Sequence, residues 1–249
     1  MDIKVTADAT ELGNVAGSLA AEILRETIHR QGSARLVVAT GASQFATLAR
    51  LTTEPGIDWT RVDGFHLDEY IGLNDDHPAS FCGYLRDRFV TQVPIRSFHY
   101  LKGLGDPETV LREASSAFSQ SPIDLALIGI GENAHLAFND PPADFDTKKV
   151  YHIVQLDEAC RMQQVGEGWF SSLAEVPTQA FSMTIPAILS CKRIVCSVPD
   201  ERKAIAVRNS LEGPKTPDVP ASILRDHRSL SLILDRASAS LLRSNRGED

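Results

Sequence analysis

The chain has 249 residues, 43% of them hydrophobic, and sets 25 Lys+Arg against 33 Asp+Glu for a formal charge of −8. A length of one or two typical domains, roughly 100–200 residues each, supplies a core without disulfide or metal staples, and no window approaches the ~18 consecutive apolar residues of a membrane span. The start MDIKVTADATELG is acidic where a secretory leader is basic, and the absence of a Lys/Arg run leaves no electrostatic footprint for nucleic acid.

In chain order, the first helix is marked by Leu12, Val15, Leu19, Ile23 and Ile28, at intervals of three, four, four and five residues, behind Thr10 as N-cap. A strand at Ala34–Ala39 follows, then the turn Thr40-Gly41-Ala42-Ser43 and a helix through Phe45, Leu48 and Leu51. Further strands are predicted at Arg61–His66, Ser97–Leu101, Asp124–Ile130, Val150–Leu156, Phe181–Thr184, Arg193–Val198 and Leu230–Leu234. Helices are predicted at Ala79–Val90, Pro107–Ser119, Glu201–Leu211 and Ala221–Arg225, with Pro141-Pro142-Ala143-Asp144 a rigid turn and Ser244–Asp249 a fraying polar tail. Alternation of apolar and amphipathic stretches is the pattern of repeated β-α units. The expectation is one domain over 1–249: α/β, a Rossmann-like three-layer sandwich with a mostly parallel central sheet. Cys82, Cys160, Cys191 and Cys196 form no CxxC pair, so free thiols and a cytoplasmic location are expected.

Four segments carry residues suited to chemistry. In Thr40-Gly41-Ala42-Ser43-Gln44 the backbone leaves a strand and enters a helix, where open N–H groups, the dipole and the Ser43 hydroxyl suit an anion. The turn has neither the GxGxxG nor the Walker spacing, so a plain β-α connection reads equally well. In Asp63–Leu73, adjacent Asp68 and Glu69 follow a strand, and alternation lets only one of them face a pocket. His66, Asp68 and His77 could in principle meet at a metal, but the ligand set is short and none is expected. In Asp124–Asp140 a strand ends in Gly129 and Gly131 and delivers Asn133, His135 and Asp140 within eight residues, a grouping suited to proton transfer. In Pro199–Ala206, Arg202 and Lys203 start a helix at a strand's carboxyl end, where either could meet a phosphate; Arg161 is equally ambiguous.

The segments ATGAS, FHLDEYIGLNDDHPASF, DLALIGIGENAHLAFNDPP, VPTQAFSMTIPAIL and RKAIAVRNSLEG resemble, in order and over nearly the whole chain, the glucosamine-6-phosphate deaminase (isomerase) family. The related 6-phosphogluconolactonases share the glycine-rich histidine loop but typically continue with a Ser-Leu-Phe-Pro type sequence where this chain has Ala137-Phe138-Asn139. The resemblance implies conversion of an amino-sugar 6-phosphate to fructose 6-phosphate and ammonia, with no redox cofactor or catalytic metal. By that analogy His135 opens the sugar ring, Asp140 orients it, and Asp68 moves a proton from C2 to C1. Gly41, Ala42 and Ser43 would cradle the phosphate and Lys203 would supply charge, with Arg161 the nearest candidate for a further arginine.

Two positions depart from the family pattern: Asn133 stands where Asp is common and Asp140 where Glu is common, and both touch the relay. Val150 and His152 do not match the basic effector positions of allosterically activated members, so no activation by an N-acetylated sugar phosphate is expected. Glucosamine 6-phosphate is the expected substrate, with galactosamine 6-phosphate, a lactonase and a non-catalytic sugar-phosphate sensor as rival readings. No nucleic-acid or membrane partner is expected, and self-association stays open.

Overall fold

The computed structural model describes residues 1–166 and 168–243; the expected fraying of Ser244–Asp249 lies outside them. The strands are β1 (Asp2–Thr6), β2 (Ala34–Val38), β3 (Val62–His66), β4 (Asp68–Tyr70), β5 (Ser97–His99), β6 (Leu125–Ile128), β7 (Tyr151–Gln155), β8 (Gln179–Met183), β9 (Arg193–Val198) and β10 (Leu230–Asp235). The helices are α1 (Ala9–Gln31), α2 (Phe45–Thr53), α3 (Phe81–Arg88), α4 (Pro107–Ser119), α5 (Glu158–Gly166), α6 (Ile185–Leu189) and α7 (Ala204–Glu212).

Among the described residues the main sheet has the order β1-β10-β9-β6-β2-β3-β5, with every pairing parallel. Strand alternation divides its side chains between two layers. Leu36, Val38, Leu125 and Leu127 pack beneath Leu12, Ala16, Leu24 and Leu48 of the first two helices. Val37, Ala126 and Ile128 face the other way, toward Phe118, Val207 and Leu224. Burial on both faces explains why the central strands read as continuous apolar runs.

The stretches expected as strands at Val150–Leu156 and Phe181–Thr184 do form strands, but they join β4 in a separate antiparallel sheet, β4-β8-β7. Three expectations are corrected. The N-cap of α1 is Asp8, whose carboxylate accepts from Thr10 N and Glu11 N, both at 2.9 Å, while Thr10 lies within the helix. The segment expected as one helix from Glu201 opens with a 3₁₀ turn, Glu201–Lys203, before α7. Residues 221–225 belong to a 3₁₀ helix, Pro220–Asp226.

The strand order sets the site. From β2 the chain winds outward to β3 and β5, and then returns to place β6 on the other side of β2. The crevice at the carboxyl ends of β2 and β6 is therefore a switch point, where open α/β sheets bind ligands. Both glycine-bearing loops, after β2 and after β6, open there.

Candidate active site

A cavity of about 510 Å³ lies at this end of the sheet, and Gly41, Ala42, Ser43, Asp68, His135 and Lys203 all line it. At the turn after β2, Gly41 has φ +89, a conformation glycine adopts without strain. Its carbonyl accepts from Tyr84 Oη at 3.1 Å, and Ala42–Gln44 make a 3₁₀ turn ahead of α2. Gln44 is fully buried and donates its amide to Ile128 O at 3.1 Å, which fixes this turn against the end of β6.

The two adjacent carboxylates separate, as residues on successive positions of a strand do. Glu69 turns toward the start of α3 and accepts from Tyr70 N (2.8 Å), Ser80 Oγ (3.0 Å), Phe81 N (3.2 Å) and Cys82 N (2.6 Å). It satisfies a helix N-terminus inside the protein, a structural duty. Asp68 faces the cavity, and its Oδ1 is buried without a hydrogen-bond partner among the described residues. Burial, with the neighbouring Glu69 charge added, pushes its carboxyl up to about 8. An acid held so far above its ordinary range is poised to exchange a proton near neutral pH.

His66, Asp68 and His77 do not converge. His66 is fully buried, and burial pushes its imidazole down to about 3. His77 accepts from Ala79 N at 3.1 Å through Nδ1 and stacks on Phe170.

The loop after β6 gathers the three expected relay residues. Asp140 Oδ1 lies 3.1 Å from His135 Nδ1 and accepts from Asn133 Nδ2 at 2.8 Å, while Asn133 Oδ1 accepts from His135 N at 3.1 Å. Burial alone would raise the Asp140 carboxyl. The His135 hydrogen bond and charge, with the Asn133 and Cys160 hydrogen bonds, overcome that and hold it at about 2. An ionised carboxylate can only accept, so His135 carries its proton on Nδ1 and presents Nε2 elsewhere. The shorter Asp140 thus keeps the histidine contact. Asn133 supplies a donor where a second carboxylate would repel Asp140.

The ring of His135 packs directly on Gly131, where an added Cβ would lie 2.2 Å from Nε2. Asn139 pins the loop to β8 through Ser182 Oγ (3.2 Å) and Met183 O (2.8 Å). Ala134 and Ala137, at φ +67 and +53, hold left-handed backbone within it, a cost of the kind that collects at functional loops. Glu132 does not join the relay; it turns toward Lys203 and Arg202.

Lys203 reaches the cavity with 12% of its side chain exposed. Arg161 does not line it: Nε donates to Val176 O at 3.2 Å and Nη2 to Leu173 O at 2.5 Å, so this guanidinium fastens α5 to the turn at Leu173–Glu175. Sequence reasoning missed the wall formed by Gln164 and Trp169, and also Asp200 and Asp235. Asp200 and Asp235 gave a signal, each standing at the carboxyl end of a strand; Gln164 and Trp169 reach the cavity by tertiary packing.

The profile of the glucosamine-6-phosphate isomerases/6-phosphogluconolactonase family matches residues 7–233. The glucosamine-6-phosphate deaminase of Exiguobacterium sibiricum is 34% identical over 235 residues, covering 94% of this chain and 90% of the relative. That of Oenococcus oeni is 35% identical over 228 residues, covering 91% and 94%. A solved structure described as a monomeric glucosamine-6-phosphate deaminase of the NagB superfamily superposes with a TM-score of 0.87 at 33% identity, covering 97% of this chain and 100% of that one. A 6-phosphogluconolactonase from Shewanella baltica shares the fold, with a TM-score of 0.75 at 20% identity, covering 94% of this chain and 97% of that one. Agreement over this length, in sequence and in fold, shows that the chain belongs to the glucosamine-6-phosphate isomerase/6-phosphogluconolactonase family.

Proposed function

We propose that the chain is a glucosamine-6-phosphate deaminase, converting glucosamine 6-phosphate and water to fructose 6-phosphate and ammonia. The observation that carries this reading is the buried, unpartnered Asp68 carboxyl sharing one cavity with the glycine turn and His135. A hydrolytic lactonase has no use for a base aimed at a carbon-bound proton; an aldose-ketose isomerisation requires one.

The phosphate sits at Gly41–Ser43 and Lys203, where the turn and the ammonium offer donors. His135, with its Nδ1 proton committed to Asp140, uses Nε2 to shuttle the proton between the C1 hydroxyl and the ring oxygen, which opens the sugar to the aldehyde. Asp68 then takes the proton from C2; that electron pair forms the C1–C2 double bond while the C1 carbonyl pair moves to O1, which takes up the proton released by the C2 ammonium, giving an enediol-type intermediate. Return of the proton to C1 gives the 2-ketimine, and water adds at C2 as ammonia leaves. The substrate's own C2 ammonium favours the ionised form of Asp68, because positive charge beside a desolvated carboxyl lowers its pKa.

The solved relative described as a monomeric glucosamine-6-phosphate deaminase supports activity without self-association. The protein's four cysteines are buried and form no disulfide among the described residues, in keeping with a cytoplasmic enzyme. The test is to incubate purified protein with glucosamine 6-phosphate and galactosamine 6-phosphate and to assay ammonia and fructose 6-phosphate. Equimolar release of both products from the glucosamine compound is expected. Failure to release ammonia from either substrate would refute the assignment.

A further inference from the structure

The anion-binding end of the cavity holds more charge than the proposed reaction uses. Arg202 and Lys203 both line it, from the 3₁₀ turn that precedes α7. Glu132, in the loop that carries His135, places Oε1 3.6 Å from Arg202 Nη1 and 4.0 Å from Lys203 Nζ. On its other side Arg202 donates from Nε and Nη2 to Asp200 Oδ2, at 3.2 and 2.9 Å. Asp200 is itself anchored, its N–H donating to the buried Asp235 carboxylate. The guanidinium is therefore held between a fixed carboxylate and a loop carboxylate, at the mouth of the cavity that Arg161 does not reach.

We propose that Arg202 is the second cationic arm of the phosphate site beside Lys203, and that Glu132 is a resident counter-anion which the incoming 6-phosphate displaces. This rests on the reading of the cavity as a sugar-phosphate site. Two cations brought to one cavity repel, and Glu132 offsets that repulsion before substrate arrives. Arg202 is 53% and Glu132 35% exposed, and ion pairs in such surroundings are weak enough to exchange. A phosphate monoester brings a charge of about −1.5 to −2 and three acceptor oxygens, against the single charge of the carboxylate. The planar fork of arginine suits two of those oxygens at once. A ligand of lower charge lacks the means to displace Glu132, so the pair selects phosphorylated over unphosphorylated amino sugars.

The experiment measures inorganic phosphate binding by calorimetry, together with KM and kcat for glucosamine 6-phosphate, in the parent, Arg202→Gln, Arg202→Lys, Glu132→Gln and the double Glu132→Gln/Arg202→Gln variant. Arg202→Gln should weaken phosphate about tenfold and raise KM in step, with a much smaller change in kcat, and Arg202→Lys should recover part of the loss. Glu132→Gln should do the opposite, tightening phosphate several-fold, and that gain should shrink in the double variant. Phosphate affinity unchanged in Arg202→Gln, or unchanged or weakened in Glu132→Gln, overturns the proposal. Should this pattern of phosphate affinities appear in a protein that releases no ammonia, the counter-anion stands and the deaminase reading falls.

Discussion

Asp68 and Asp140 are both aspartates in one site, and their surroundings drive them in opposite directions. Asp68, buried beside Glu69, is held at about 8; Asp140, hydrogen-bonded by His135 and Asn133, at about 2. In the proposed reaction the division gives them different work, with Asp68 exchanging protons and Asp140 remaining an anion that fixes the imidazole. Asp68→Asn should cut kcat by about 10²–10⁴-fold while phosphate affinity persists, a comparison made by steady-state kinetics and calorimetry. For the parent, kcat/KM should rise with pH up to about 8, as the free enzyme's Asp68 ionises; a flat profile from pH 6 to 9 would count against it. Gly131→Ala places a methyl group against the His135 ring and should depress kcat with little change in stability, measured by turnover beside thermal unfolding.

At the scale of elements, β4 sends one carboxylate to the cavity and the next into the architecture. Asp68 points to the cavity, while Glu69 accepts three hydrogen bonds at the start of α3 and one from Tyr70 N of its own strand, joining that helix to the small sheet. Glu69→Ala leaves those donors unsatisfied in the interior and should cost about 3 kcal/mol in urea unfolding. The acidic pair was legible in sequence, and strand alternation foretold that its members would part. Which one faced the cavity was not legible, because that depends on the pairing of β4 with β8, more than a hundred residues away in the chain. The same holds for Arg161, a free cation on paper, which packing commits to the carbonyls of Leu173 and Val176. β1 and α6 escaped notice for local reasons: β1 is largely exposed, with no buried face to impose a pattern, and α6 has five residues, too few for a helical period.

For the molecule as a whole, the two aspartates give pH-dependent stability of opposite sign. Asp68 has a folded pKa above its unfolded value, so the folded state keeps a proton that the unfolded chain releases, and stability falls as pH rises from about 4 to about 8. Asp68→Asn should therefore melt higher than the parent at pH 8, with the gap closing toward pH 4. Asp140 has a folded pKa below its unfolded value; its contribution is present above about pH 4 and fades as pH falls toward 2. Thermal unfolding of Asp140→Asn and the parent across pH 2 to 7 should show the variant less stable at neutral pH and equal to the parent at the acid end.

The amino-acid sequence by itself determined the β-α alternation, the parallel central sheet and the loops that carry the chemistry, because apolar periodicity and glycine-bearing strand ends are local properties written over a few residues. It also carried the family, since ATGAS, the Asp68 segment and the His135 loop keep their order and spacing. Tertiary structure alone decided which of two adjacent carboxylates meets the cavity, where Glu132 turns, and that Arg202 lines the cavity while Arg161 is committed elsewhere. Those outcomes depend on burial and on partners brought from distant parts of the chain, and desolvation and charge pairing exist only once the sheet has gathered its loops at one end.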